Sequence, residues 1–146
     1  MSRLDPSWLD TQYNNRQRVP DHPAIFERWR QASQLVREQT RCELDLAYGD
    51  ASTEKLDVFH PPRAGAPVLI FIHGGYWRAF DKADQSFVAP SFVADGAMVV
   101  VPNYSLCPAV DIGHIALQMT RVSPVDTSTE PVAFGAKLGM KVSGRS

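Results

Sequence analysis

Two short runs of unbroken hydrophobicity, Val68–Ile72 and Ala97–Val101, restrict the fold more than anything else in this sequence. Both are rich in β-branched residues and far too short to cross a bilayer. A strand with one wet face alternates; a strand covered on both faces does not, and continuous runs of this kind mark central strands of a parallel sheet. About twenty residues separate the two runs, enough for a crossover helix. "DKADQSFVAPSFVADG" supplies it, with Phe87, Val88, Phe92 and Val93 facing inward. Pro90 must interrupt or restart that helix and Gly96 can end it.

The flanking sequence agrees. "VPDHPAIFERWRQASQLVREQT" predicts a helix capped by Asp21, with Pro23 in its first turn and Ile25, Trp29, Ala32 and Val36 on one face. "TQYNNRQR" before it is polar and predicts an arm lying over the surface. In "CELDLAYG" the residues Leu44, Leu46 and Tyr48 alternate with polar neighbours, and "EKLDVFHP" alternates again across Gly49-Asp50. These predict an antiparallel pair. "DIGHIALQMTR" predicts a last helix bearing Ile112, Ile115, Leu117 and Met119. The expected class is α/β with a mixed, mostly parallel sheet and flanking helices.

Length and charge exclude several functions. The 146 residues suffice for one modest domain. A net charge of −1 leaves no basic excess for nucleic acid. Cys42 and Cys107 form no disulfide framework and match no metal spacing. His22 and His60 sit beside prolines and read as structural or exposed; His114 lacks a ligand-type partner at i+3 or i+4, so no metal is expected. Asp81, Asp84 and Asp95 read as helix caps and solvated charges. The N-terminus lacks the apolar core of a signal peptide. The expectation is a cytoplasmic protein without membrane attachment.

The first apolar run ends in "HGGYW", His73–Trp77. Ligands collect beyond the carboxyl ends of parallel strands, and glycines there leave backbone N–H groups uncovered. Such groups can hold the negative oxygen that forms when a carbonyl is attacked. The motif resembles the H-G-G oxyanion loop of α/β-hydrolase lipases and esterases. With "YNNR", "VPDHPA" and "VPNYSLCP", the stretch from Leu9 to Arg121 resembles bacterial α/β hydrolases of the arylformamidase (kynurenine formamidase) type. "VPNYSLCP" is also similar to the Y-R-L-x-P segment of hormone-sensitive-lipase-like esterases, with Ser105 in place of the arginine. The resemblance implies that the Gly75 and Tyr76 N–H groups are oxyanion donors, with Gly74 shaping the turn. His73 would be a structural residue of the loop. Tyr76 and Trp77 would line an aryl-substrate pocket, although large aromatics at a strand end serve packing at least as often. Tyr104, at the end of the next strand, would approach the same cleft, with packing as its expected role. It implies a small amide or ester substrate and no cofactor.

The pattern then breaks. The chain contains no G-x-S-x-G, the strained turn that presents the nucleophile in such enzymes. His114, the last histidine, precedes the place where that serine belongs, so no serine, acid and base can be assigned, and Cys107 lacks a positioned base. Hydrolases of this kind exceed roughly 200 residues. Residues 1–121 therefore read as the N-terminal part of an α/β-hydrolase domain with its C-terminal half missing. Residues 122–146, rich in Ser, Thr, Gly and Pro, read as a poorly ordered tail from a shifted frame or a truncated gene; a short strand near "PVAFGA" is the alternative. The resemblance implies that the missing nucleophile strand pairs with the strand after the oxyanion loop, leaving an apolar edge there. The expected function is an inactive fragment of a serine hydrolase, or else a non-catalytic partner that pairs, or self-associates, through its sheet edge.

Overall fold

A computed structural model describes residues 5–122. The tail from residue 123 onward, with its proposed strand, lies outside the described residues. Val122, which the sequence groups with that tail, is buried at the end of the last helix.

The polar arm is helical. Helix α1 spans Pro6–Tyr13, with Pro6 in its first turn and the Asp5 carboxylate accepting the Ser7 N–H. Helix α2, Asn15–Arg18, follows at once and is capped by the Asn14 side chain. Local capping explains both, because neither helix buries a residue. Helix α3 spans His22–Gln39. Asp21 occupies its N-cap position, but its carboxylate makes no capping bond. The inward stripe runs through Phe26, Trp29, Ser33 and Val36, whereas Ala32 is exposed. Ser33 is buried because its hydroxyl accepts the Phe87 N–H at 3.1 Å, a partner that helical periodicity alone does not reveal.

Strands β1 (Cys42–Ala47), β2 (Lys55–Phe59), β3 (Val68–Ile70) and β4 (Met98–Pro102) form one sheet in the order β1-β2-β4-β3. The β1–β2 and β2–β4 pairs are antiparallel and the β3–β4 pair is parallel. The sheet is thus mixed, with one parallel pairing among the described residues. A bulge between Glu43 and Leu46 breaks the alternation of β1 and leaves Leu44 exposed. Tyr48, Leu56, Val58, Val100 and Val122 form the core on one face. Phe59, Ala89, Val99 and Val101 form it on the other, with Val36 and Val93 against them.

The crossover begins as a 3₁₀ helix, Lys82–Val88, and Pro90 restarts it as helix α4, Ala89–Ala94. Asp81 and Asp84 form a reciprocal capping box at its start. Gly96 ends it at φ +91°, donating to the Val93 carbonyl. Phe87, Val88 and Val93 are partly buried, but Phe92 is exposed. Helix α5, Ile112–Arg121, is capped by Asp111 and buries Ile115 and Gln118. Ile112 and Leu117 are exposed, since the inward stripe is Ile115, Gln118, Met119 and Val122.

Strand β4 is central, flanked by β2 and β3. Strand β3 is an edge among the described residues, with Ile70 36% and, just beyond it, Ile72 51% exposed. This corrects two expectations: the strand before the H-G-G loop is not covered on both sides, and the open edge belongs to it rather than to β4, both of whose flanks are occupied.

Candidate active-site loop

β4 holds β3 as far as Phe71, whose N–H donates to the Val100 carbonyl at 2.8 Å. The chain then leaves the sheet and runs to the 3₁₀ helix through Ile72–Asp81. His73 is buried, stacked on Tyr104 with ring centroids 4.4 Å apart. Its Nδ1 donates to the Gly74 carbonyl at 2.8 Å, and its Nε2 lies 3.2 Å from Asn103 Oδ1. Each ring nitrogen therefore faces an oxygen of the fold, and neither is turned to solvent. The buried Tyr104 hydroxyl donates to the His73 carbonyl at 2.8 Å, and burial pushes its pKa up, keeping it a donor. Tyr104 thus packs against the loop from below.

The next residues adopt backbone angles that L-residues avoid. Gly75 has φ +111°, Tyr76 +57°, Trp77 +58° and Phe80 +74°. A methyl group on Gly75 would sit 2.2 Å from the Ala79 carbonyl oxygen. Glycine is required here both by the angle and by the close approach of the chain to itself. Gly74 meets neither constraint, with open space where its side chain would be. Bulky residues in the left-handed region each cost about 1–3 kcal/mol and persist where the surroundings over-determine them.

The loop's carbonyls and amides are treated unequally. The carbonyls of His73, Gly74, Gly75 and Trp77 accept from Tyr104 Oη, His73 Nδ1, Arg78 N and Cys107 N respectively. The N–H groups of Gly74, Gly75, Tyr76 and Trp77 have no acceptor among the described residues. Tyr76 is 83% exposed and Trp77 is exposed beside it, their rings 5.5 Å apart.

Sequence reasoning missed what supports this loop. Asn103, just past β4, contacts His73, Lys82 and Asp81 through one side-chain amide. Behind it lies a buried ionic cluster. Asp57 on β2, with no exposed surface, accepts from Lys82 Nζ at 2.7 Å, Arg37 Nη1 at 2.6 Å and the Asp45 N–H at 2.9 Å. Lys82 Nζ also donates to Asp45 at 2.8 Å, and that bond holds the Asp45 carboxyl below the usual carboxylate range. Two acids and two bases neutralise one another, as burial demands. Ser105, in the arginine position of the esterase-like segment, is bonded to Thr53 and to the buried Gln118. Nothing in the sequence signals the cluster, because in the alternating "KLDVF" Asp57 reads as a residue of the wet face.

No group of three or more His, Cys, Asp or Glu side chains suited to a metal occurs among the described residues. No described helix is long and apolar enough to cross a membrane. An open depression of about 730 Å³ lies between Pro62–Pro67 and Val93–Gly96, at the amino ends of β3 and β4. His73 and Asn103 stand at the opposite, carboxyl ends, where α/β sheets gather their ligands.

No family model matches the sequence. Kynurenine formamidase of Danio rerio is 36% identical over 91 residues, covering 61% of this chain and 31% of the relative. That of Salmo salar is 30% identical over 94 residues, covering 63% and 32%. A crystal structure described as a "putative thioesterase" from Silicibacter sp. TM1040 superposes with a TM-score of 0.74 at 34% identity, over 78% of this chain and 44% of that one. Esterase B of Lactobacillus rhamnosis shares the fold at a TM-score of 0.57 and 21% identity, over 73% of this chain and 36% of the other. The chain spans about a third of the length of these curated relatives. Fold and loop together define an incomplete α/β-hydrolase. Over the portion that it matches, the chain is similar to kynurenine formamidases and to the structure described as a thioesterase.

Proposed function

We propose that this chain carries the oxyanion loop of a serine hydrolase that acts on aryl formamides or small carboxylic esters. One observation supports the reading above others: the loop's carbonyls are bound internally while the N–H groups of Gly74–Trp77 have no acceptor among the described residues. When a nucleophile attacks a carbonyl, the electron pair moves onto oxygen. The Gly75 and Tyr76 amides are placed in sequence to donate to that oxygen until collapse expels the amine or alcohol. Gly74 gives the turn its entry, and Tyr76 and Trp77 offer apolar surface to an aryl group. His73, with each ring nitrogen facing an oxygen of the fold, serves the loop and not the proton transfer. The 146 residues hold no G-x-S-x-G, so the chain alone is inactive and needs a nucleophile from further polypeptide. Two unpaired cysteines suit a cytoplasmic setting.

Purified chain incubated with p-nitrophenyl acetate or N-formylkynurenine should release no product above buffer. Supplied in trans with a polypeptide carrying a G-x-S-x-G strand–turn–helix, it should hydrolyse one of them. Gly75→Ala should then slow that reaction by roughly 10²-fold or more. Turnover by the chain alone would overturn its inactivity, and a complemented rate indifferent to Gly75→Ala would overturn the oxyanion assignment. The open edge of β3 supports a second reading, a non-catalytic pairing fragment. Size-exclusion chromatography separates the two, since a monomer at all concentrations removes self-pairing.

A further inference from the structure

The geometry points to Asn103 as the positioning residue of the H-G-G loop, a clamp that closes residues 73–82 into a ring and holds their left-handed backbone in place. The functional weight of this inference rests on the oxyanion reading; its structural content does not.

Asn103 is itself fixed to the sheet. Its N–H donates to the Lys55 carbonyl at 2.8 Å, and its carbonyl accepts the Tyr48 hydroxyl at 2.5 Å. From that post its side chain reaches both ends of the loop. Oδ1 accepts the Lys82 N–H at 3.3 Å and lies 3.2 Å from His73 Nε2. Nδ2 donates to Asp81 Oδ2 at 2.6 Å. The orientation of the amide follows from these partners, because only Nδ2 can face a carboxylate and only Oδ1 an N–H. His73 opens the loop, and Asp81 and Lys82 end it. Between these ends lie Gly75, Tyr76, Trp77 and Phe80, all at positive φ. Within the loop one backbone bond, Arg78 N–H to the Gly75 carbonyl, ties the turn; from outside, the Cys107 N–H holds the Trp77 carbonyl. Those two bonds oppose the strain of three bulky residues only while the loop's ends stay together. Lys82 is further anchored by the Asp57 and Asp45 carboxylates, so the clamp closes against a fixed wall.

The test is amide hydrogen exchange on the full chain. Asn103→Ala should speed exchange at Arg78 and Cys107 at least about tenfold, while Val99–Val101 in β4 stay within about twofold. Asn103→Asp should do the same, because it sets a carboxylate against that of Asp81. Combining Asn103→Asp with Asp81→Asn reverses donor and acceptor and leaves a side-chain oxygen at position 81 to accept the Ala83 N–H. The paired exchange should restore protection to within about threefold of the parent. A merely structural role would loosen loop and strand together and would not be rescued by exchanging the pair. Equal loosening of β4, an unchanged loop, or a pair no better than Asn103→Asp alone would each overturn the clamp. Should Asn103→Ala not fold, the comparison of single and paired exchange decides alone. No hydrolysis is read in this experiment, so its failure and a failure of the oxyanion assignment are distinguishable.

Discussion

Gly74 and Gly75 are neighbours with opposite obligations. Alanine at 75 must take φ +111° and displace the Ala79 carbonyl, whereas alanine at 74 enters open space. Gly75→Ala should cost about 2–4 kcal/mol in urea unfolding, and Gly74→Ala less than about 1. Equal costs would mean that the turn is not built as described. The "HGG" spelling alone does not distinguish the two glycines. The sequence marked the loop correctly as a place where the backbone departs from the sheet, because glycines after a buried strand have few other uses. It could not show that Tyr76, Trp77 and Phe80 share the left-handed region, since nothing in an aromatic side chain announces such an angle. Asn103 stood inside a motif already singled out, and yet its role depends on partners at positions 73, 81 and 82 that only folding assembles.

At the level of elements, β2 carries the sharpest lesson. Its spelling "KLDVF" suggests a strand with one wet face, but Leu56, Asp57, Val58 and Phe59 are all buried. Asp57 is tolerated there because Lys82 and Arg37 arrive from the crossover and from α3. Removing it should leave the half-buried Arg37 without its carboxylate and the buried Lys82 with Asp45 alone. Asp57→Ala should therefore lower stability by about 3–5 kcal/mol, and Asp45→Ala, whose carboxylate is largely exposed, by much less. Urea midpoints of the two variants give the comparison, and similar losses would show that the cluster is not coupled as described. Element types were largely legible from period and punctuation: α3 by its prolines and stripe, the crossover by Pro90 and Gly96, β4 by its valines. Phase was less so. Ala32, Phe92 and Leu117 fall on the outside because the sheet and the 3₁₀ helix choose which neighbouring residues turn inward, and amphipathic period fixes only the spacing.

For the whole molecule, two buried tyrosines and a half-buried cysteine set an alkaline limit. Burial pushes up the Cys42 thiol and the Tyr104 hydroxyl, and burial together with the Glu54 charge pushes up Tyr48. Each group favours its protonated form when folded. Its contribution is complete below the unfolded value, 9.0 for the thiol and 10.0 for the phenols, and is lost as pH rises beyond it. Asp45 acts in the other direction, contributing above its unfolded value of 3.8 and losing that as pH falls through its lowered folded one. Urea midpoints should hold level at neutral pH and fall from about pH 9 upward. In Tyr48→Phe the fall above pH 10 should be shallower; an unchanged slope would remove Tyr48 from the account.

The sheet's two borders are not alike. β1 is interrupted by a bulge and carries Glu43 and Asp45, features that discourage pairing, while β3 offers Ile70 and, beyond it, Ile72 without any such guard among the described residues. Any added strand is thus steered to one flank, immediately beside the glycine turn. The polypeptide has a built-in direction of growth, and enlargement of the domain would bring new side chains first to the place where His73–Trp77 already stand.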